Sequence, residues 1–187
     1  MRQVPTIALL FLTLVPGLSA QKSPAPSLKE TEDWIINTLE HGNGEVGYGY
    51  FAEEYPDRKD NTYFTSRVAF NACEMKITTH TTGGGVGKHS DLIDTMNLKD
   101  LDPHTIVVLP AAKKYGGMAC PLEGDCDEAT VAVSTRDSKS LIHSELDSIK
   151  DSHEQATILV TDVSYAKRLT HALARAIELC GGKPSAF

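Results

Sequence analysis

Tyr63-Phe-Thr-Ser-Arg-Val68-Ala-Phe70-Asn-Ala72-Cys73-Glu-Met75-Lys-Ile77 is a β-like run whose apolar residues change step halfway along. Val68, Phe70 and Ala72 alternate at even positions, and Cys73, Met75 and Ile77 alternate at odd ones. Side chains of a strand leave it on alternate faces, so a straight strand cannot present both sets to one core. An extra residue or a bend shifts the parity. The stretch therefore predicts one long bent strand, broken near Ala72-Cys73. Bends of this kind curl an antiparallel sheet toward a barrel.

The rest of the chain supplies short strands and two helices. Gly47-Tyr-Gly-Tyr-Phe51 reads as a short strand, and Glu53 to Asp60 as a polar loop. Thr81-Thr-Gly83-Gly-Gly85 is a turn, Asp91 to Leu98 a weak strand, and Thr105-Ile-Val-Val-Leu109 a clear one. Ala129 to Ser134 and Gln155 to Thr161 are further β-rich runs, with a polar stretch containing Leu141-Ile142 between them. Ser27-Leu-Lys-Glu30 is a capping box that opens a helix with Leu28, Ile35 and Leu39 on one face, stopped by His41-Gly-Asn-Gly44. The last helix is capped by Asp162 or Ser164. Ala166, Leu169, Leu173, Ala176, Ile177 and Cys180 recur on it at three and four, and Gly181-Gly182 ends it. Strands between two terminal helices make an α+β class, because strands and helices do not alternate.

At 187 residues, with 41% hydrophobic and 23% charged, the chain is sized for one domain with one core. A formal charge of −7 and the lack of any Lys/Arg block exclude a nucleic-acid binder. No apolar run of about 18 residues follows the N-terminus, which excludes a polytopic membrane protein.

Met1-Arg2, the apolar stretch Val4 to Leu14, the Pro16-Gly17 break and Leu18-Ser-Ala20 form the three parts of a secretory signal peptide. The expectation is export, cleavage after Ala20, no stable membrane anchor afterwards, and a flexible leader from 21 to 26. One domain would span 27–182, with 183–187 as a tail. In an oxidising compartment the four cysteines, Cys73, Cys120, Cys126 and Cys180, predict disulfides. Three pairings are open. Cys120 and Cys126 flank a segment, Pro121 to Asp125, that can fold back on itself, which would leave Cys73 with Cys180. A zinc site is the rival, but no C-x-x-C pair exists.

With these residues in place, the front stretch Ser27 to Trp34, the Asp100-Leu-Asp-Pro103 step and the helix Ala166 to Gly182 resemble a group of uncharacterised secreted bacterial proteins. Those are similar to pleckstrin-homology (PH)-like domains. The resemblance implies a bent antiparallel barrel of about seven short strands, with an N-terminal helix and a C-terminal capping helix. It covers the first helix and residues 98–182, and its motifs are framework. The Gly83-to-Lys88 turn lacks the basic cluster of a phosphoinositide site. A cystatin-like roll is the alternative fold, but such a roll needs no long terminal helix.

Candidate chemistry is sparse. Thr82 to Ser90 approximates a phosphate loop, but Thr82 stands at the first glycine position and His89 where a magnesium-binding hydroxyl belongs. Among seven histidines, His80 and His89 lie with Asp91 and Asp94 within fifteen positions that a hairpin would bring together, a candidate metal set without a ligand signature. Glu123, Asp125, Asp127 and Glu128 are oxygen-rich but lack calcium-loop spacing. Ser134 with His143 or His153 is a conceivable dyad, and no G-x-S-x-G elbow is present. His171 reads as a helix-surface residue.

Good framework signals without a convergent catalytic set point to an exported, non-enzymatic binding or scaffold module. It would engage an unknown protein segment or small ligand along an open sheet edge or beside the terminal helix, and need no cofactor. The alternatives are a small exported metal-dependent hydrolase using His80, His89, Asp91 and Asp94, or an envelope structural protein.

Overall fold

A computed structural model describes residues 25–41, 46–48, 62–83, 90–110 and 129–184. The fold is α+β. Helix α1 (Leu28–His41) precedes β1 (Val46–Tyr48), β2 (Thr62–Asn71), β3 (Glu74–Gly83) and β4 (Ser90–Asn97). Strands β5 (Val107–Pro110), β6 (Ala129–Ser134), β7 (Ile142–Leu146), β8 (Ile149–His153) and β9 (Gln155–Val160) follow, and helix α2 (Val163–Leu179) ends the chain. Among the described residues no helix is long and apolar enough to cross a membrane.

The α1 capping box forms as its residues require. The Ser27 N–H donates to Glu30 Oε2 at 2.8 Å, and the Glu30 N–H reaches Ser27 Oγ at 3.3 Å. Asp162 caps α2 by accepting from the N–H groups of Ser164 and Tyr165. At the other end the Gly182 N–H bonds Ile177 O and the Gly181 N–H bonds Glu178 O, a Schellman closure with Gly181 at φ +86°.

The expected bent strand is two strands. Asn71 stands opposite Glu74, so the chain reverses through Ala72-Cys73 in a two-residue hairpin. The parity switch has a simple origin. Val68 pairs with Ile77 and Phe70 with Met75, so even and odd positions fall on the same sheet face once the chain folds back. Alternation alone cannot separate a bend from a tight reversal.

All described strands pair antiparallel, in a six-stranded sheet of order β1-β2-β3-β4-β7-β8 and a three-stranded sheet of order β5-β6-β9. Nine strands are therefore described where about seven were expected, and β2 and β3 have ten residues each. They form no closed barrel. The chain changes sheet between β4 and β5, between β6 and β7, and finally at Glu154, between β8 and β9. A bond from the Leu159 N–H to Ser66 Oγ (3.2 Å) links β9 to β2.

One core joins both sheets and both helices. Val68, Met75, Ile77, Met96 and Ile142 come from the large sheet, and Val131, Val133, Ile158 and Val160 from the small one. Leu169, Leu173 and Ile177 of α2 and Ile35 and Leu39 of α1 complete it. Helix α2 packs on β5, β6 and β9, while α1 packs on α2 and β2. Cys73 and Cys180 form a disulfide, with Cα atoms 5.6 Å apart. Cys120 and Cys126 lie outside the described residues.

The Asp100-Leu-Asp-Pro103 step is a structural corner. Buried Asp102 accepts from the His104 N–H at 2.8 Å, and its own N–H donates to Ser134 O at 3.0 Å. The Thr105 hydroxyl accepts from the Ser134 N–H (3.2 Å). The corner ties the chain entering β5 to the end of β6.

Candidate functional site

Strands β4, β7 and β8 place two rows of side chains on the solvent face of the large sheet. The pairing puts Ile93, Glu145 and Lys150 in one row and Thr95, His143 and Ser152 in the next. These six residues line an open hollow of about 450 Å³. His143 Nδ1 and Ser152 Oγ share a hydrogen bond at 3.1 Å, and Lys150 Nζ lies 3.3 Å from Glu145 Oε2. The hollow is open, and it sets hydroxyl, imidazole, ammonium and carboxylate groups beside the Ile93 side chain.

The contact of Ser152 with His143 has half the form of a nucleophile and its base. One part of that machinery is missing from the contacts of the described residues: no carboxylate orients the His143 ring.

The dyad anticipated from sequence does not assemble around Ser134. Its hydroxyl accepts from Gln155 Nε2 at 3.2 Å, opposite it in the small sheet, while His143 lies on β7 of the large sheet and bonds Ser152. His153 is exposed, with Nε2 3.9 Å from Asp151 Oδ2. His171 is exposed on α2, as expected of a surface residue.

The anticipated metal set is divided between faces. His80 and Asp91 stand opposite each other on β3 and β4 and bond directly on the solvent side. Asp94 is three residues on from Asp91, so it points to the other face, where it is buried and accepts from the Ser144 hydroxyl. His89 and the rest of 84–89 fall outside the described residues, as do Glu123, Asp125, Asp127 and Glu128, while Thr82 lies in β3 and Ser90 opens β4. Among the described residues no group of three or more His, Cys, Asp and Glu side chains is placed to hold a metal ion.

The hairpin that carries the site was not read as such in the sequence. Ile142, Ser144 and Leu146 alternate, and Asp147-Ser148 is a two-residue turn with Asp147 at φ +55°. That alternation was the available signal, muted by the charged β8 sequence Ile-Lys-Asp-Ser-His.

Beyond the hollow lies the free side of β8. This strand ends the large sheet, with β7 on one side and no further strand on the other among the described residues. Ile149, at 68% exposure, continues a row from Leu92 and Leu146. The Ser152 N–H donates to Asp151 Oδ1 at 2.7 Å, a side-chain cap on a backbone donor of the edge strand.

No family model matches this chain, and no curated protein or solved structure matches it either.

Proposed function

We propose that the protein is an exported, non-enzymatic binding module that receives an extended polypeptide segment along the free edge of β8. The observation that carries this reading is the pairing of a sheet edge that is open among the described residues with an exposed apolar residue, Ile149, at the end of the row Leu92–Leu146–Ile149. A docked strand gains main-chain hydrogen bonds along the edge and side-chain contacts at alternate positions. The polar hollow beside the edge would add selectivity.

Export is supported by the tripartite N-terminus and by the Cys73–Cys180 disulfide, a bond that persists in oxidising compartments. Kinship with PH-like domains belongs to the proposal at the level of framework, supported by a C-terminal amphipathic helix packed on antiparallel strands. Such frameworks host unrelated functions, so no ligand follows from it. The metal-dependent hydrolase reading gains no support from the described residues, because Asp94 and the His80–Asp91 pair occupy opposite faces.

The test is amide hydrogen exchange on the oxidised full chain, with and without millimolar peptides of alternating Thr and Val. Slowed exchange at Lys150 and Ser152, lost in an Ile149→Lys variant that keeps its circular dichroism, is the expected result. Unchanged exchange along β8, with protection elsewhere or nowhere, would overturn the reading.

A further inference from the structure

We infer that the β8 edge selects its partner by charge, taking an antiparallel segment with a base opposite Asp151 and an acid next to it, opposite Lys150. This rests on the edge-docking reading and names the class of segment docked.

The edge is short and charged in alternation. Lys150 and Asp151 are 75% and 70% exposed and leave the strand on opposite faces. In a two-residue hairpin the residues flanking the loop, here Leu146 and Ile149, bond each other, so the backbone groups of Lys150 and Ser152 turn outward by alternation. The bond from the Ser152 N–H to Asp151 Oδ1 fits that orientation, because a donor spent on β7 has no need of it. Asp151 thus occupies the amide that an incoming carbonyl must take. A cation on the incoming strand, opposite Asp151, draws the carboxylate off the amide and leaves the donor open. An acid one residue further stands opposite Lys150, which keeps Glu145 on its other side. An apolar residue next to that extends the row ending in Ile149.

Charge also argues against a second copy of this chain as the occupant. Two copies of β8 pair antiparallel about a two-fold axis normal to the sheet, which sets a residue opposite itself. An axis at Asp151 opposes two carboxylates, and one at Lys150 opposes two ammonium groups, both unfavourable. An axis at Ser152 needs the outer side of Glu154, whose carbonyl already accepts from the Thr135 N–H at 2.8 Å. The edge therefore repels its own kind, a common guard against edge-to-edge aggregation, while remaining open to a complementary strand.

The test is a titration of the isotopically labelled, oxidised full chain with two blocked peptides, followed by backbone amide resonances. One is Thr-Thr-Lys-Glu-Val-Thr, whose Lys and Glu meet Asp151 and Lys150. The other is Thr-Thr-Glu-Lys-Val-Thr. Reversing two cross-strand charge pairs predicts that the first binds about fourfold or more tightly, with shifts centred on Lys150 and Ser152. The doubly swapped variant Lys150→Glu/Asp151→Lys inverts the preference, and Asp151→Ala narrows it. Equal binding of both peptides at β8 would overturn the charge selection while leaving edge docking intact. No response of the β8 amides to either peptide would overturn edge docking and this inference with it. Concentration-dependent dimerisation through β8 would overturn it in favour of a second copy.

Discussion

Cys73, in the tip of the β2–β3 hairpin, is bonded to Cys180, the residue that caps the C-terminus of α2, across 107 positions of sequence. The Leu98 N–H, which opens the 3-10 turn Leu98–Asp100 after β4, donates to the carbonyl of that same Cys73 at 2.8 Å, so hairpin tip, 3-10 turn and helix end meet at one point. In the chain-entropy picture a loop of this length is worth about 4–5 kcal/mol. The double variant Cys73→Ala/Cys180→Ala should lose about 2–5 kcal/mol in urea unfolding, as removal of a native bridge commonly does. A loss below about 1 kcal/mol would show that the helix end is held by packing alone.

Gly182 sits where a side chain has no room. A Cβ there would lie 2.3 Å from Ile177 Cγ2 and 3.0 Å from the carbonyl oxygens of Ile177 and Leu98. Gly181 has open space around it but a φ of +86°. Gly181→Ala should cost about 1 kcal/mol in backbone strain, and Gly182→Ala more, since the buried Ile177 methyl must move and two carbonyl oxygens crowd the new Cβ. Equal or reversed losses in thermal unfolding would contradict the close approach.

Ala72 holds a positive φ of 51° at the hairpin tip. Left-handed backbone disfavours a Cβ, and glycine removes that cost. Ala72→Gly should raise stability by about 0.5–1 kcal/mol despite the freer unfolded chain, read as a higher urea midpoint at unchanged slope.

Two carboxylates should give opposite pH dependences. Glu32 is only 7% exposed and its Oε1 has no partner among the described residues; burial raises its pKa above the ordinary 4.5, with Lys29 opposing and Asp33 reinforcing. A raised folded pKa stabilises below the unfolded value and loses that contribution as pH rises through the folded pKa. Glu32→Gln should therefore gain on the wild type at neutral pH, and the gain should vanish below about pH 4.5.

Asp162 behaves in reverse. The N–H groups of Tyr165 and then Ser164 hold its pKa below the ordinary 3.8. Its contribution is present above that value and lost as pH falls through the depressed folded pKa. Asp162→Ala should lower the unfolding temperature at neutral pH, with the deficit closing in acid. A deficit independent of pH would show that the cap does not act through its charge.

Both helices were legible because their information is local. The Ser27–Glu30 box and the Asp162 cap satisfy donors within three residues, and the apolar stripe of α2 repeats along its own axis. Strand positions were legible for β6 and β9, whose runs begin at the expected residues. The β7–β8 hairpin was not, because its outer strand buries almost nothing and so carries no apolar pattern. The candidate site was missed with it. His143 was singled out, but beside Ser134 rather than Ser152.

What the sequence determined by itself was the α+β class, the two helices with their caps and the facing of residues along a strand. Each is set by interactions within a few positions of the chain. What only the tertiary structure decided was which strand lies beside which. Ladder hydrogen bonds are made by backbone groups common to all residues, so Val68 could meet Ile77, and His143 meet Ser152, without a local mark of either choice. The parity switch at Ala72-Cys73 and the separation of Asp94 from Asp91 both follow from that pairing and from the two-residue period of a strand.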